Sequence, residues 1–137
     1  PLSDKREKEE KRRPTDIREP QEATSRFERL AKVEIPYSTG RFDTSRYSLV
    51  KVNPETGRKH QIRRHLGHIS HPIIGDTRYG EGRHNRLFRE SLQSHRLLLW
   101  STQVSFIHPF SGKTIEISAP TPEEVVPLFD RFGWSLD

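Results

Sequence analysis

ETGRKHQIRRH, residues 55–65, is the stretch on which the reading of this chain turns. Five cationic or cation-capable side chains, Arg58, Lys59, His60, Arg63 and Arg64, fall within seven positions. A helix over 58–67 puts Ile62 and Leu66 one turn apart on one face. It also stacks Lys59 on Arg63 and His60 on Arg64, and like charges at that spacing repel by about 0.2–0.5 kcal/mol per pair. The segment works against its own helix unless an anion offsets the charge. Arginine rather than lysine at three of these positions suits a planar, two-pronged grip on an oxyanion. The bland alternative is an exposed basic helix.

Outward from this segment the chain reads as short strands. Ala31, Val33 and Ile35 alternate with Lys32 and Glu34, the period of a strand, which Pro36 ends. Residues 46–53, RYSLVKVN, are apolar on both faces and read as a central strand. A short helix is expected near 85–92, and a long strand over 97–108. A hairpin turn at 110–112 leads into a returning strand carrying Ile115 and Ile117. The last helix, 122–132, has Thr121 as N-cap and Pro122 at its first position, with Pro127 expected to kink or split it. The fold class is α+β, mainly antiparallel sheet with a few short helices.

Composition narrows the chemistry. No cysteine is present among the 137 residues, which excludes disulfide frameworks, thiolate zinc sites and thiol catalysis. No apolar run reaches the length of a membrane span or a signal segment, so a soluble, cytoplasmic protein is expected. The net charge is +5. Residues 1–22 hold seven basic and seven acidic side chains with little apolar content, the composition of a charged loop or disordered linker ahead of a domain over 23–137. Residues 56–100 hold nine basic and three acidic side chains and six of the seven histidines. A basic block inside folded sequence points to a polyanion partner.

His60, His65, His68 and His71 raise a metal site. No HExxH pattern accompanies them, and Arg63 and Arg64 would repel a cation, so no metal is assigned. No G-x-S-x-G elbow supports a hydrolase. Asp76 lies between Gly75 and a threonine, the setting of a carboxylate that organises a turn through backbone amides.

TGRKHQIRRH at 56–65, SHPIIGDTRYG at 70–80 and HRLLLWSTQVSFIHPFSG at 95–112 stand in one order and spacing. Together they resemble the C-terminal signature of the RluA/TruC-type RNA pseudouridine synthases. GEGRHNRLFRE at 80–90 is most similar to the TruC-like branch, which acts on transfer RNA. Ser70 stands where many members have glycine, and Trp100 where many have histidine.

The resemblance implies the C-terminal portion of the pseudouridine synthase catalytic fold, an enzyme that isomerises uridine without a cofactor, and an RNA partner, transfer RNA above all. The family's nucleophilic aspartate sits in an upstream H-R-L-D segment that this sequence lacks. His95-Arg96-Leu97 imitates its first residues, but Leu98 follows. By resemblance Arg63 is the catalytic arginine that pairs with that missing aspartate. Arg58, Lys59, His60, Gln61, Arg64 and His65 are the expected RNA-binding residues. The chain alone is expected to be inactive and open to edge-to-edge self-association. A stand-alone RNA-binding module without catalysis is the alternative.

Overall fold

A computed structural model describes residues 23–136. The charged stretch 1–22 lies outside the described residues. The chain divides into two compact units at Leu97 and Leu98.

The first unit is built on an antiparallel ribbon of β1 (Ser25–Ile35) and β2 (Ser45–Pro54). The alternation read from the sequence orients it. Ala31, Val33 and Ile35 turn progressively inward, opposite Leu49, Tyr47 and Ser45. A bulge between Arg29 and Ala31 resets the register. β2 was expected to be central, yet it has one strand partner among the described residues. Leu49, Val50 and Val52 are half-buried, so both faces are partly covered as their apolarity required. Covered faces report packing above and below a strand, not pairing at its edges.

Two helices follow, α1 (Gln61–His68) and α2 (Gly82–Ser91). The helix expected from 58 begins later because His60 adopts a left-handed backbone, φ 52, which no continuous right-handed helix accommodates. At the other end Ser70 (φ 63) closes α1. Its N–H bonds the Gly67 carbonyl at 3.2 Å, and the His71 N–H bonds that of Leu66 at 2.9 Å. These are the paired bonds of a Schellman motif, whose left-handed position favours glycine. Helix α2 begins earlier than expected because the Glu81 carboxylate accepts the N–H groups of Arg83 and His84, a cap worth about 1 kcal/mol. It docks on the ribbon through Phe88, edge-on to Tyr47 at 4.8 Å, and through His84 Nδ1, 2.8 Å from the Tyr47 hydroxyl. Among the described residues of this unit, Ile35, Leu87, Phe88 and Leu92 are the buried apolar ones.

The second unit holds a hairpin of β3 (Gln103–Ile107) and β4 (Thr114–Ser118) and the helix α3 (Val126–Phe132). The long strand expected from Leu97 is shortened to five residues. β4 is equally short, and its ladder reaches back only to the bond from Ala119 N–H to the Thr102 carbonyl, 2.8 Å. The turn is tied by His108, whose Nδ1 accepts from the N–H groups of Phe110 and Ser111. Helix α3 starts four residues later than the expected 122. Residues 122–126 form turns, and Pro127 occupies the first helical turn, where its missing N–H costs no hydrogen bond. The expected 122–132 stretch is thus divided just ahead of Pro127 rather than kinked within the helix. Val125, Leu128 and Phe129 are buried, with Phe129 between Trp100 and Trp134 at 5.8 Å each. No helix among the described residues is long and apolar enough to cross a membrane.

Replacing Ser70 by glycine is expected to stabilise the chain by about 0.5–1 kcal/mol, because it removes left-handed strain at the end of α1. The urea midpoint is expected to rise; a fall would refute the assignment of strain to this residue.

Candidate active site around Arg63

Arg63 lies in the first turn of α1, and its guanidinium is fixed by a loop 13 residues further along. Nε donates to Asp76 Oδ2 at 2.9 Å and Nη2 to Oδ1 at 2.8 Å. This is a two-pronged, side-on pair. The Asp76 carboxylate is fully buried, while the Arg63 side chain keeps 20% of its exposure. Oδ1 also accepts the N–H groups of Arg78 and Tyr79, each at 3.0 Å. The turn-forming role read from the sequence is thus present, with the ion pair added to it.

Burial alone would push the Asp76 carboxyl up. The hydrogen bonds from Arg63, Tyr79 and Arg78 outweigh it and hold the group below the usual carboxylate range. The hydrogen bond to Asp76 raises Arg63 above its already high value. Both groups are charged throughout the neutral range. With its oxygens occupied by four N–H donors and no exposure, Asp76 is a holding group rather than a nucleophile.

Tyr79 completes the mount. Arg63 and Arg78 each lie 5.3 Å from the centre of its ring, contacts worth about 0.5–1 kcal/mol. Its hydroxyl is 3.2 Å from His60 Nδ1, and the two rings meet edge to face. Partial burial, then the charges of Arg63, Lys59 and Arg78, lower the His60 pKa. His60 is therefore neutral at pH 7, which relieves part of the crowding seen in the sequence.

The remaining expected site residues part company. Arg58 and Lys59 are exposed, ahead of α1. Arg64 and His65 are half-buried, and His65 Nε2 is buried without a hydrogen-bond partner among the described residues. Burial, then the charge of Arg64, lowers the His65 pKa. Gln61 turns inward. Its Oε1 accepts from the Thr56 hydroxyl and the Arg58 N–H, and its Nε2 donates to the Thr24 carbonyl and the Ser25 hydroxyl. Those four bonds use its full capacity, so Gln61 pins α1 to the start of β1 instead of facing a ligand. Among the described residues no group of three or more His, Asp or Glu side chains could hold a metal ion.

Sequence reasoning singled out Arg63 but not all of the groups that hold it. Asn85, on α2, is buried; its amide joins the Gly75 N–H at 2.8 Å and the Asp76 carbonyl at 3.0 Å. Neither partner is near it in sequence, so no local pattern marks it.

The RNA pseudouridylate synthase family model matches residues 1–68, a span that includes Arg63 and its helix. The tRNA pseudouridine synthase C of Vibrio parahaemolyticus is 50% identical over 117 residues, covering 85% of this chain and 48% of the relative. That of Haemophilus influenzae is 49% identical over 117 residues, covering 85% and 49%. That of Salmonella typhi is 41% identical over 134 residues, covering 98% and 52%. The chain belongs to the RNA pseudouridylate synthase family. It spans about half the length of the relatives it matches. The Arg63–Asp76 mount is thus a feature of a pseudouridylate synthase chain, and the small sheets and short helices are its α+β frame.

Asp76→Asn is expected to destabilise the chain by about 3 kcal/mol, because it leaves a largely buried guanidinium without its counter-charge. Asp76 titrates below its unfolded value of about 3.9. Its contribution is therefore complete above that pH and lost as pH falls through the lower, folded value. Urea midpoints of the two proteins should differ by a constant amount above about pH 5 and converge in acid. A difference independent of pH down to the acid limit of folding would contradict the ion pair.

Proposed function

We propose that this chain supplies the arginine side of the active site of an RNA pseudouridine synthase acting on transfer RNA, in the cytoplasm. The observation that carries the proposal is the mounting of Arg63. Asp76 occupies the Nε–Nη2 edge of the guanidinium, which leaves the Nη1 edge without a hydrogen bond among the described residues. A second carboxylate can meet that edge in the same plane.

The reaction detaches uracil from C1′ of its ribose, turns the base and rejoins it through C5. Atoms and electrons are conserved, so no cofactor is required. The target nucleotide leaves its stack to enter the pocket. The aspartate that acts as nucleophile or base must stay ionised away from water, and an adjacent guanidinium keeps it so. We assign that aspartate to a part of the protein outside this chain. Arg58, Lys59 and Arg64 set the position of the RNA through phosphates, and His60 and His65 stand beside them. Gln61 contributes by fixing α1. The relatives' name, tRNA pseudouridine synthase C, supports transfer RNA as the substrate class.

The β1–β2 ribbon and the β3–β4 hairpin have free strand edges among the described residues, and the hairpin carries exposed apolar side chains, Val104 and Phe106 at 51% and 43% exposure. We infer that the chain on its own pairs edge to edge with a second copy. A sedimentation profile that stays monomeric at high concentration would contradict this.

In the full-length protein, Arg63→Ala is expected to lower pseudouridine formation in transfer RNA by at least a thousandfold while the Kd for RNA changes less than about threefold, as for a group acting mainly in the transition state. Lys59→Ala is expected to do the reverse, weakening RNA binding and lowering its salt slope by about 1. Arg63→Ala weakening binding as much as turnover would make Arg63 a phosphate contact and overturn the assignment. RNA binding by an active-site-intact full-length protein with no product would favour a binding module instead.

A further inference from the structure

We propose that Asn85 is a positioning residue for the reaction, acting through Asp76 on Arg63; the proposal rests on the pseudouridine synthase reading above. Asn85 belongs to α2, not to the basic helix, and its buried amide bridges two successive residues of the loop. The bonds fix its orientation. Gly75 N–H can only donate and the Asp76 carbonyl can only accept, so Oδ1 faces the first and Nδ2 the second. The amide thus reads the Gly75–Asp76 backbone as a neighbouring strand would.

The segment it grips has little freedom elsewhere. Gly75 has φ +87, and a Cβ there would collide with the backbone carbonyl of Arg96. Asp76 N–H bonds the Ile73 carbonyl at 3.2 Å, and a Cβ on Gly80 would collide with the Asp76 carbonyl. Of these restraints, only Asn85 supplies hydrogen bonds from a separate element to the peptide groups on both sides of the Asp76 peptide nitrogen. The plane of the Asp76 carboxylate in turn sets the plane of the guanidinium through two bonds of 2.8 and 2.9 Å. The edge of Arg63 that faces the substrate side is therefore aimed by a chain of three side chains, Asn85 to Asp76 to Arg63. Asn85 is buried and both ends of its amide are engaged by the loop, so its effect on catalysis travels through that chain rather than through contact with RNA.

The test is a double-mutant cycle in the full-length protein, with single-turnover rates and KM measured on transfer RNA. Asn85→Ala is expected to slow the chemical step by about a hundredfold, the scale of a misplacement near 1 Å, while KM changes less than about twofold. Arg63→Lys keeps the charge but has no planar edge to aim. In that background Asn85→Ala is expected to cost less than about threefold more, because the two residues act in series. Asn85→Asp preserves shape and the acceptor for Gly75 but loses the donor to Asp76, and is expected to show the same dependence should the alanine variant fail to fold. Losses that multiply in the Arg63→Lys background, or a parallel rise in KM, would make Asn85 merely structural and overturn the proposal. Wild-type protein that forms no pseudouridine would overturn the functional reading and this proposal together.

Discussion

The first unit depends on one charge pair, Arg63 with Asp76. Each partner would be costly in this setting alone: the carboxylate is fully buried and the guanidinium four-fifths so. Together they satisfy each other through two bonds, and the loop amides of Arg78 and Tyr79 take up further capacity on the carboxylate. The pair is also what connects the basic helix to the loop after it. Without it, nothing of comparable strength among the described contacts ties α1 to the 75–80 turn. The packing of Tyr79 over Arg63 and against Gly67 follows from the same anchoring.

This arrangement changes the electrostatics of the site. In the sequence, 55–65 looks like an accumulation of positive charge awaiting an anion. In the structure part of that anion is internal. Asp76 neutralises Arg63, and His60 is held uncharged, so the outward positive charge lies on Arg58, Lys59 and their neighbours. An incoming aspartate would then be held less by net charge than by the direction of the remaining N–H groups. Such directional stabilisation demands that the guanidinium be aimed accurately, which is the reason a buried amide on the next helix bears on the chemistry.

Much of the frame was legible in the sequence. Ala31, Val33 and Ile35 gave the inward face of β1 by period alone, and Ile115 and Ile117 gave β4. The errors have particular causes. The start of α1 was set by a left-handed His60, which side-chain patterning does not reveal. Thr121 and Pro122 carry good capping chemistry, but Pro127 fits the first turn better than the interior, and the helix starts there. Leu97 to Ser101 has strand-like residues, but β4 is too short for its ladder to reach them. At the site, Arg63 was marked by its segment, whereas Asp76 and Asn85 reach it across 13 and 22 positions through folded contacts that no local spacing records. Gln61 was misassigned outward because its segment is basic; its hydrogen bonds to Thr24 and Ser25 are set by tertiary placement.

In the proposed function Arg63 serves two carboxylates at once, Asp76 on its Nε edge and a catalytic aspartate from elsewhere in the protein on its Nη1 edge. A crystal structure of the full-length protein measures this directly. The expected result is an aspartate oxygen within about 3 Å of Arg63 Nη1, with the Asp76 bonds intact. An Nη1 edge that faces only solvent or an RNA phosphate, or an Asp76 that has released Arg63, would contradict it.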